Sequence, residues 1–262
     1  MLTQNKKRIF NKDKSEYTFR SLNSIIVSLN QAKSVFPKIK FDIVIVDHNS
    51  KRDDLEQMKK QLNKSNIKNS LVSLNLNEFS DNIKNINAKN EEVTKNQKSN
   101  MSNIHKSLLI AKNQCDDLVY FVEDDYLHEQ DSIYEIISTY ERVSSQLNRE
   151  LVLCPIDYPY LYTKIDSTNI FLGSHKHWRK VEETLCTFLT SKILLQKHWS
   201  KFVSMCEFEH YPFEQPLHDV YKSEYCLSPI PSLAVHLTNI NSIFGLSPNL
   251  DWKKIWDENE NY

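Results

Sequence analysis

The sequence predicts an α/β fold, a single domain in which a mixed, mainly parallel sheet is flanked by helices. Two observations support this prediction. Apolar runs typical of buried strands, such as Phe41 to Val46 and Leu118 to Val122, alternate with segments whose apolar residues recur at helical spacing. Polar side chains follow these runs, and such alternation is typical of parallel strands joined by right-handed crossovers. No internal repeat or linker divides the 262 residues.

The first half of the chain alternates strands with helices. Apolar residues recur at helical spacing from Phe19 to Leu29, and Pro37 ends this helix. The stretch 77–103 is rich in Asn, Lys and Glu, which predicts a mobile loop. This loop is either a lid that orders on substrate binding or a surface loop without a role. The predicted elements are strands at 7–10, 41–46, 70–76 and 118–122, and helices at 15–36, 53–62 and from Ser102 onwards.

The second half continues with helices and shorter strands. Asp131 caps an amphipathic helix at 132–147. Residues 207–218 are irregular and aromatic, and the tail from Asn239 carries two tryptophans that predict a docked helix. The remaining predicted elements are strands at 151–154, at 184–189 and around His236, and a helix at 191–205.

Composition excludes several classes of protein. Apolar residues make up 40% of the chain and charged residues 26%, which is ordinary for a globular protein. The net charge of -1 does not indicate a nucleic-acid partner. Gly173 and Gly245 are the two glycines of the chain, so it has no glycine-rich phosphate loop. Any phosphate is therefore held by metal, by side chains or by ordinary backbone amides.

Five widely spaced cysteines without a CxxC pair argue against a disulfide framework or a zinc site. They are typical of small buried hydrophobes in a reducing compartment. No apolar run reaches the roughly 18 to 20 residues that span a bilayer, and the first residues lack the apolar core of a signal peptide. We therefore expect a cytoplasmic protein, with peripheral attachment to a membrane as an open alternative.

Three consecutive carboxylates, Glu123, Asp124 and Asp125, follow the apolar run Leu118 to Val122. Ligands of open α/β sheets bind at the carboxyl ends of strands, where this acidic triplet is expected to lie. Crowded carboxylates repel one another, and a divalent cation such as Mg²⁺ or Mn²⁺ would join them while sharing substrate phosphates. The alternative is a solvated acidic turn.

Several stretches resemble the family 2 glycosyltransferases with the GT-A fold, and the resemblance covers residues 7–237. The family's second strand, whose acid contacts the nucleotide base, is similar to FDIVIVDHNS. The helix and strand that lead to the family's DXD motif resemble NMSNIHKSLLIAKNQCDDLVYFVEDD. The strand bordering the acceptor pocket resembles CTFLTSK. The segment from the family's Glu-Asp pair to its metal-binding histidine resembles HDVYKSEYCLSPIPSLAVHL.

This resemblance implies a GT-A, Rossmann-like fold with a nucleotide-binding half at about 1–130 and an acceptor half with a C-terminal tail at about 131–262. It also implies a divalent cation, Mn²⁺ or Mg²⁺, as cofactor. His218 stands where the family has the glutamate of its Glu-Asp pair, so the catalytic base is Asp219 or, in reserve, Glu214. The implied metal ligands are Asp125 and His236, and the implied nucleotide-sugar contacts are Asn11, Asp47, Asn103, Glu123 and Asp124.

Aromatic side chains flanked by polar groups suit the recognition of a sugar acceptor. The aromatic candidates are Tyr158, Tyr160, His177 and Trp178, and Arg179 is a further candidate contact. Each candidate has a structural alternative, which is core packing for the rings and a surface salt bridge for Arg179. Asp219 has the alternative role of a helix N-cap, and His236 that of a structural histidine.

The sequence therefore predicts a metal-dependent inverting glycosyltransferase. Its partners would be a nucleotide-sugar donor and a glycan, lipid-linked or other hydroxyl acceptor, and its setting surface polysaccharide synthesis. One rival is a nucleotidyltransferase acting on sugar phosphates, but such enzymes usually need a glycine-rich loop that this chain lacks. The other rival is a non-catalytic GT-A-like module that binds a partner or a glycan.

Overall fold

The chain alternates between helices and strands, and the computed structural model describes it at residues 9–163, 165–208, 213–237, 245–247 and 249–262. The helices are α1 (Lys14–Val35), α2 (Arg52–Lys64), α3 (Lys95–Gln114), α4 (Ser132–Leu147), α5 (Lys192–Lys197), α6 (Trp199–Glu207), α7 (Gln215–Tyr221) and α8 (Trp252–Glu258). The strands are β1 (Asp42–Asp47), β2 (Lys68–Ser73), β3 (Leu118–Phe121), β4 (Tyr126–His128), β5 (Leu151–Leu153), β6 (Ile170–Leu172), β7 (His177–Val181), β8 (Phe188–Ser191), β9 (Tyr225–Ile230) and β10 (Ala234–His236).

The N-terminal part of the chain forms a parallel unit. Strands β1 and β2 pair in parallel from Asp42 opposite Lys68 to Asp47 opposite Ser73, and α2 connects them. Helix α1 ends before Pro37, as predicted, because a proline disfavours helical backbone at the residue before it. Of the strand predicted at 7–10, residues 7 and 8 lie outside the described residues, and residues 9 and 10 form a bend.

The main sheet has six strands in the order β3-β8-β5-β9-β7-β6, and it is mixed rather than mainly parallel. Of its neighbouring pairs, β5 and β9 run parallel, whereas the other four pairs are antiparallel. The prediction of a mainly parallel sheet is therefore wrong here. That prediction extended the strand-helix alternation of the first half of the chain to the second half. The alternation ends there, because β6 and β7 are joined by a short turn and therefore pair antiparallel.

Helices cover both faces of the main sheet, as predicted. Along β5, Val152 packs against one cluster of buried residues, and Leu151 and Leu153 pack against another. This alternation is the period-two pattern of a strand buried on both sides. Residues of α3, α5, α6 and α7 build the first cluster, and residues of α1 and α4 build the second. The single domain thus has one sheet at its centre.

The polar stretch 77–103 is more ordered than its composition indicates. Helix α3 begins at Lys95 rather than near Ser102, because Thr94 and Gln97 form a capping box. A few apolar residues anchor the loop before it. The loop residues that pack into a buried cluster around Met101 are Phe79, Ile83 and Val93. The stretch therefore has more packed structure than predicted, because its polar composition hides these widely spaced anchors.

The last helix docks against the first, in agreement with the prediction for the tail. Trp256 stacks on Phe10 with ring centroids 4.0 Å apart, and the guanidinium of Arg20 lies 4.2 Å from the Trp256 ring. Residues 239–244 and 248 of this tail, residue 238 before it and residues 209–212 of the predicted irregular stretch lie outside the described residues. In the part of the chain that is described, no helix combines the length and hydrophobicity needed to cross a bilayer.

Candidate functional site

The acidic triplet joins β3 to β4 and is held from two sides. The backbone N–H of Glu123 donates to Oγ1 of Thr187 at 3.1 Å, which ties the triplet to the start of β8. The backbone N–H of Leu237 donates to the carbonyl of Asp125 at 2.9 Å, which ties it to the end of β10. The triplet therefore lies where the main sheet meets the small sheet of β4 and β10.

His236 lies beside Asp125 in this small sheet. Strands β4 and β10 pair antiparallel with His236 directly opposite Tyr126, and the two rings stack at a centroid distance of 4.7 Å. Nε2 of His236 is 3.3 Å from Oδ2 of Asp125. Nδ1 of His236 is buried without a hydrogen-bond partner, and an unsatisfied polar atom of this kind is unusual in a protein interior.

The charges around His236 are mostly negative. Burial, together with the nearby carboxylate of Asp125, raises the pKa of Glu123 to about 8. Burial also raises the pKa of Glu214. Burial opposes protonation of His236, but the carboxylates of Asp125, Glu123 and Glu214 outweigh it and raise the pKa of this histidine. Asp125, Glu123, Glu214 and His236 form the acidic cluster, in which the charges of Asp125 and Glu214 make Glu123 harder to ionise.

Glu214 belongs to the acidic cluster although it is distant in sequence. It stands at the N-cap position of α7, but its side chain makes no capping hydrogen bond. Instead, Sγ of Cys186 lies 3.7 Å from its Oε1, and its charge raises the pKa of Glu123. The structure therefore brings Glu214 together with two of the residues expected to bind the donor and the metal.

Asp219 is engaged elsewhere. Its carboxylate pairs with Nζ of Lys222 at 2.8 Å and with Nζ of Lys201 at 3.3 Å. Hydrogen bonds from these two lysines lower the pKa of Asp219, as expected for an exposed ion pair. The structure does not bring Asp219 to the acidic cluster, and its contacts do not fit the expected role of catalytic base.

Two of the expected nucleotide contacts meet at the end of β1. Both Asp47 oxygens accept hydrogen bonds from Ser50, and Nδ2 of Asn103 donates to the carbonyl of Val46 at 2.8 Å. Asn49, in the turn after β1, adopts the left-handed conformation that asparagine tolerates. The chain after β1 therefore forms a hydrogen-bonded turn, and Asp47 is half-buried in it.

Two further expected nucleotide contacts, Asp124 and Asn11, lie near the first turn of α1. Oδ2 of Asp124 accepts a hydrogen bond from Oγ1 of Thr18 and pairs with Nζ of Lys14, both at 3.1 Å. Asn11 is exposed in the bend before α1. Lys14 and Thr18 did not stand out in the sequence, because nothing in the spacing of α1 shows that its first turn reaches the acidic triplet.

Most of the expected acceptor contacts are part of the core. Tyr158 and Trp178 are fully buried, and Nε1 of Trp178 donates to Oε1 of Glu135 at 3.0 Å. Arg179 is nearly buried and pairs with Asp157. The expectation that these three residues bind a sugar is therefore wrong, because other elements cover their side chains. His177 is exposed and stays a candidate.

Tyr126 and Thr187 support the site and were not expected. Tyr126 lies under the His236 ring, and its hydroxyl is 2.8 Å from that of Tyr158. Tyr126 follows the triplet directly in the chain, which is the signal that could have identified it. Thr187 carries no such signal, since its contact with Glu123 arises from the antiparallel insertion of β8 beside β3.

In the described part of the chain, no group of three or more His, Cys, Asp or Glu side chains is arranged so that it could hold a metal ion. Asp125 and His236 would supply two ligands, and a Mg²⁺ or Mn²⁺ ion commonly completes its coordination with substrate phosphates and water. No protein-family model matches the chain, and no curated protein is significantly similar to it.

Proposed function

We propose that the protein is a metal-dependent inverting glycosyltransferase of the GT-A kind, as its resemblance to the family 2 enzymes implies. The observation that carries the proposal is the pair of Asp125 and His236, whose Oδ2 and Nε2 atoms lie 3.3 Å apart beside Glu123 and Glu214. A carboxylate and an imidazole that face each other can share a cation. This mixed oxygen and nitrogen set favours Mn²⁺ over Mg²⁺, which prefers oxygen ligands alone.

The cation would neutralise the diphosphate that leaves the donor sugar. Glu214 is the carboxylate best suited to act as base, because burial raises its pKa toward the range in which a carboxylate takes up a proton readily. In the reaction, Glu214 accepts the proton of the acceptor hydroxyl, whose oxygen bonds to the anomeric carbon. The bond from that carbon to the diphosphate oxygen breaks from the opposite face, and the configuration inverts.

The donor would be a nucleotide sugar bound between the end of β1 and the acidic triplet, with Asp47, Asn103 and Asp124 as contacts. The acceptor would be a glycan or a lipid-linked hydroxyl, with His177 as a contact. We expect the reaction to serve surface polysaccharide synthesis in the cytoplasm, with peripheral attachment to the membrane as an alternative.

Calorimetric titration of UDP, GDP and CDP, each with and without Mn²⁺, tests the proposal. We expect one nucleotide to bind only when Mn²⁺ is present, and Asp125→Ala to weaken that binding by about tenfold or more. Asp42→Ala is the matched control. It also removes one carboxylate, but Asp42 pairs with Lys68 in the first residue pair of the β1-β2 ladder, at the opposite end of β1 from the expected nucleotide contact Asp47. The control should bind like the wild type.

A non-catalytic binding module is the second candidate. It is favoured by the lack of a three-residue metal group among the described residues and by the lysine contacts of Asp219. Failure of all three nucleotides to bind with Mn²⁺ would favour the module over the transferase. A nucleotidyltransferase is disfavoured, because the two glycines of the chain do not make a glycine-rich loop.

A further inference from the structure

Lys14 opens α1 beside the acidic triplet. Its Nζ lies 3.1 Å from Oδ2 of Asp124, and Thr18, one turn later on the same face of α1, donates to the same oxygen at 3.1 Å. Oγ1 of Thr18 also lies 3.3 Å from the carbonyl oxygen of Lys14. The first turns of α1 therefore lie against Asp124, the most exposed member of the triplet.

The ion pair of Lys14 and Asp124 is loose. The two side chains are 65% and 50% exposed, respectively, and an ion pair so open to solvent contributes little to stability. A lysine ammonium is a compact charge on a flexible stem with three rotatable donors. Nζ of Lys14 can therefore leave the Asp124 oxygen for a neighbouring anion without disturbing the packing of α1.

We propose that Lys14 binds the diphosphate of the donor nucleotide, an inference that rests on the proposed function. A diphosphate held through a cation on Asp125 and His236 would have Asp124 as its neighbour, and the two anions would repel each other. The Lys14 ammonium can lie between them and reduce this repulsion. It also adds positive charge where negative charge builds up as the bond from sugar to diphosphate breaks.

Thr18 has a different role from Lys14. Its hydroxyl stays hydrogen-bonded to Asp124 when Lys14 moves to the diphosphate, because Thr18 and Lys14 contact the same carboxylate oxygen through separate donors. Thr18 is therefore a positioning residue that acts through Asp124, whereas Lys14 contacts the substrate. The number of phosphates in the ligand tests the role of Lys14, since a nucleoside monophosphate lacks the second phosphate that Lys14 would contact.

Calorimetric titration in Mn²⁺ of the nucleoside diphosphate that binds the wild type, and of its monophosphate, tests the role of Lys14. We expect Lys14→Ala to weaken diphosphate binding by about tenfold, the lower end of what a charge-assisted hydrogen bond contributes. Monophosphate binding should change by less than about threefold, because that ligand lacks the second phosphate. Lys14→Arg, which keeps the charge, should restore most of the affinity.

Lys33→Ala is the matched control, because it removes one positive charge from the last turn of the same helix. Unchanged or tighter diphosphate binding by Lys14→Ala would overturn the inference, and so would an equal loss for the diphosphate and the monophosphate. These outcomes leave the proposed function intact as long as the wild type needs Mn²⁺ to bind. A wild type that binds no nucleotide would overturn both.

Discussion

Two carboxylate centres of this molecule each lie beside a histidine, but their surroundings differ. Glu135 on α4 is fully buried, and its Oε1 accepts hydrogen bonds from the backbone N–H of Ser174 at 3.1 Å and of Lys176 at 3.2 Å. Nε1 of Trp178 donates to the same atom at 3.0 Å. Oε2 accepts from the backbone N–H of His175 at 3.1 Å. The protein itself thus supplies the donors that this buried charge requires.

In the acidic cluster the carboxylates face one another instead. The charges of Asp125 and Glu214 make Glu123 harder to ionise, and His236 partly offsets this effect. The comparison teaches that a buried carboxylate surrounded by N–H donors anchors the fold. Buried carboxylates that repel one another are suited to bind a positive charge from outside the chain.

Glu135→Ala should cause the largest loss of stability. It would leave three backbone N–H groups and the Trp178 indole without their acceptor, and removing one partner of a buried charged network costs about 3–5 kcal/mol. Urea unfolding at pH 7 measures the loss. Glu141→Ala, on an exposed part of the same helix, is the control and should change stability by less than about 0.5 kcal/mol. A loss for Glu135→Ala as small as that of the control would remove the contrast between the two centres.

The acidic cluster should show an intermediate effect that depends on pH. Burial and Asp125 raise the pKa of Glu123 to about 8, from an ordinary value of 4.5. Between these values the folded state keeps a proton that the unfolded state releases, so stability falls as pH rises. Without metal, we expect a loss of about 1–2 kcal/mol between about pH 5 and pH 8, limited by the partial solvent contact of the side chain.

Urea unfolding in EDTA at both pH values measures this loss. Glu123→Gln cannot ionise, so it should lose less stability than the wild type over the same interval. Replacing EDTA with Mn²⁺ should reduce the loss in the wild type, because a cation stabilises the ionised carboxylates. A Glu123→Gln variant that loses as much stability as the wild type would show that other groups cause the pH dependence.

The smallest change in stability is expected at Asp219. Its ion pairs with Lys201 and Lys222 are exposed, so Asp219→Asn should change the free energy of unfolding by less than about 0.5 kcal/mol. It should also keep the rate of sugar transfer to an acceptor, whereas Glu214→Gln should lower that rate by about 100-fold or more as a lost general base. A large loss of rate for Asp219→Asn, without one for Glu214→Gln, would identify Asp219 as the catalytic base instead.

The features that the sequence predicts well depend on neighbours in the chain. The end of α1 at Pro37 is a local backbone effect. The apolar run before Glu123 and the strand around His236 are also local patterns, and the structure has strands β3 and β10 at these positions.

The features that it predicts badly depend on which elements become neighbours in space. The antiparallel insertion of β8 beside β3 could not be foreseen from strand-helix alternation. In the sequence, Trp178 fits a sugar-binding surface as well as it fits the core. The structure decides between them, because Glu135 accepts the N–H of its indole in the core. Glu214 and Asp219 lie five residues apart, and the packing of α7 decides which of them reaches the acidic cluster.

The pairing of β4 with β10 has a consequence for how the site tolerates insertions and deletions. Asp125 precedes β4 directly and His236 ends β10, so their separation depends on the alignment of one short ladder. Adding or deleting one residue in the 231–233 connection can shift that alignment by one position, which would turn the imidazole to the opposite side of the ladder. Any chain that shares this site should therefore preserve the length of that connection more strictly than its amino acids.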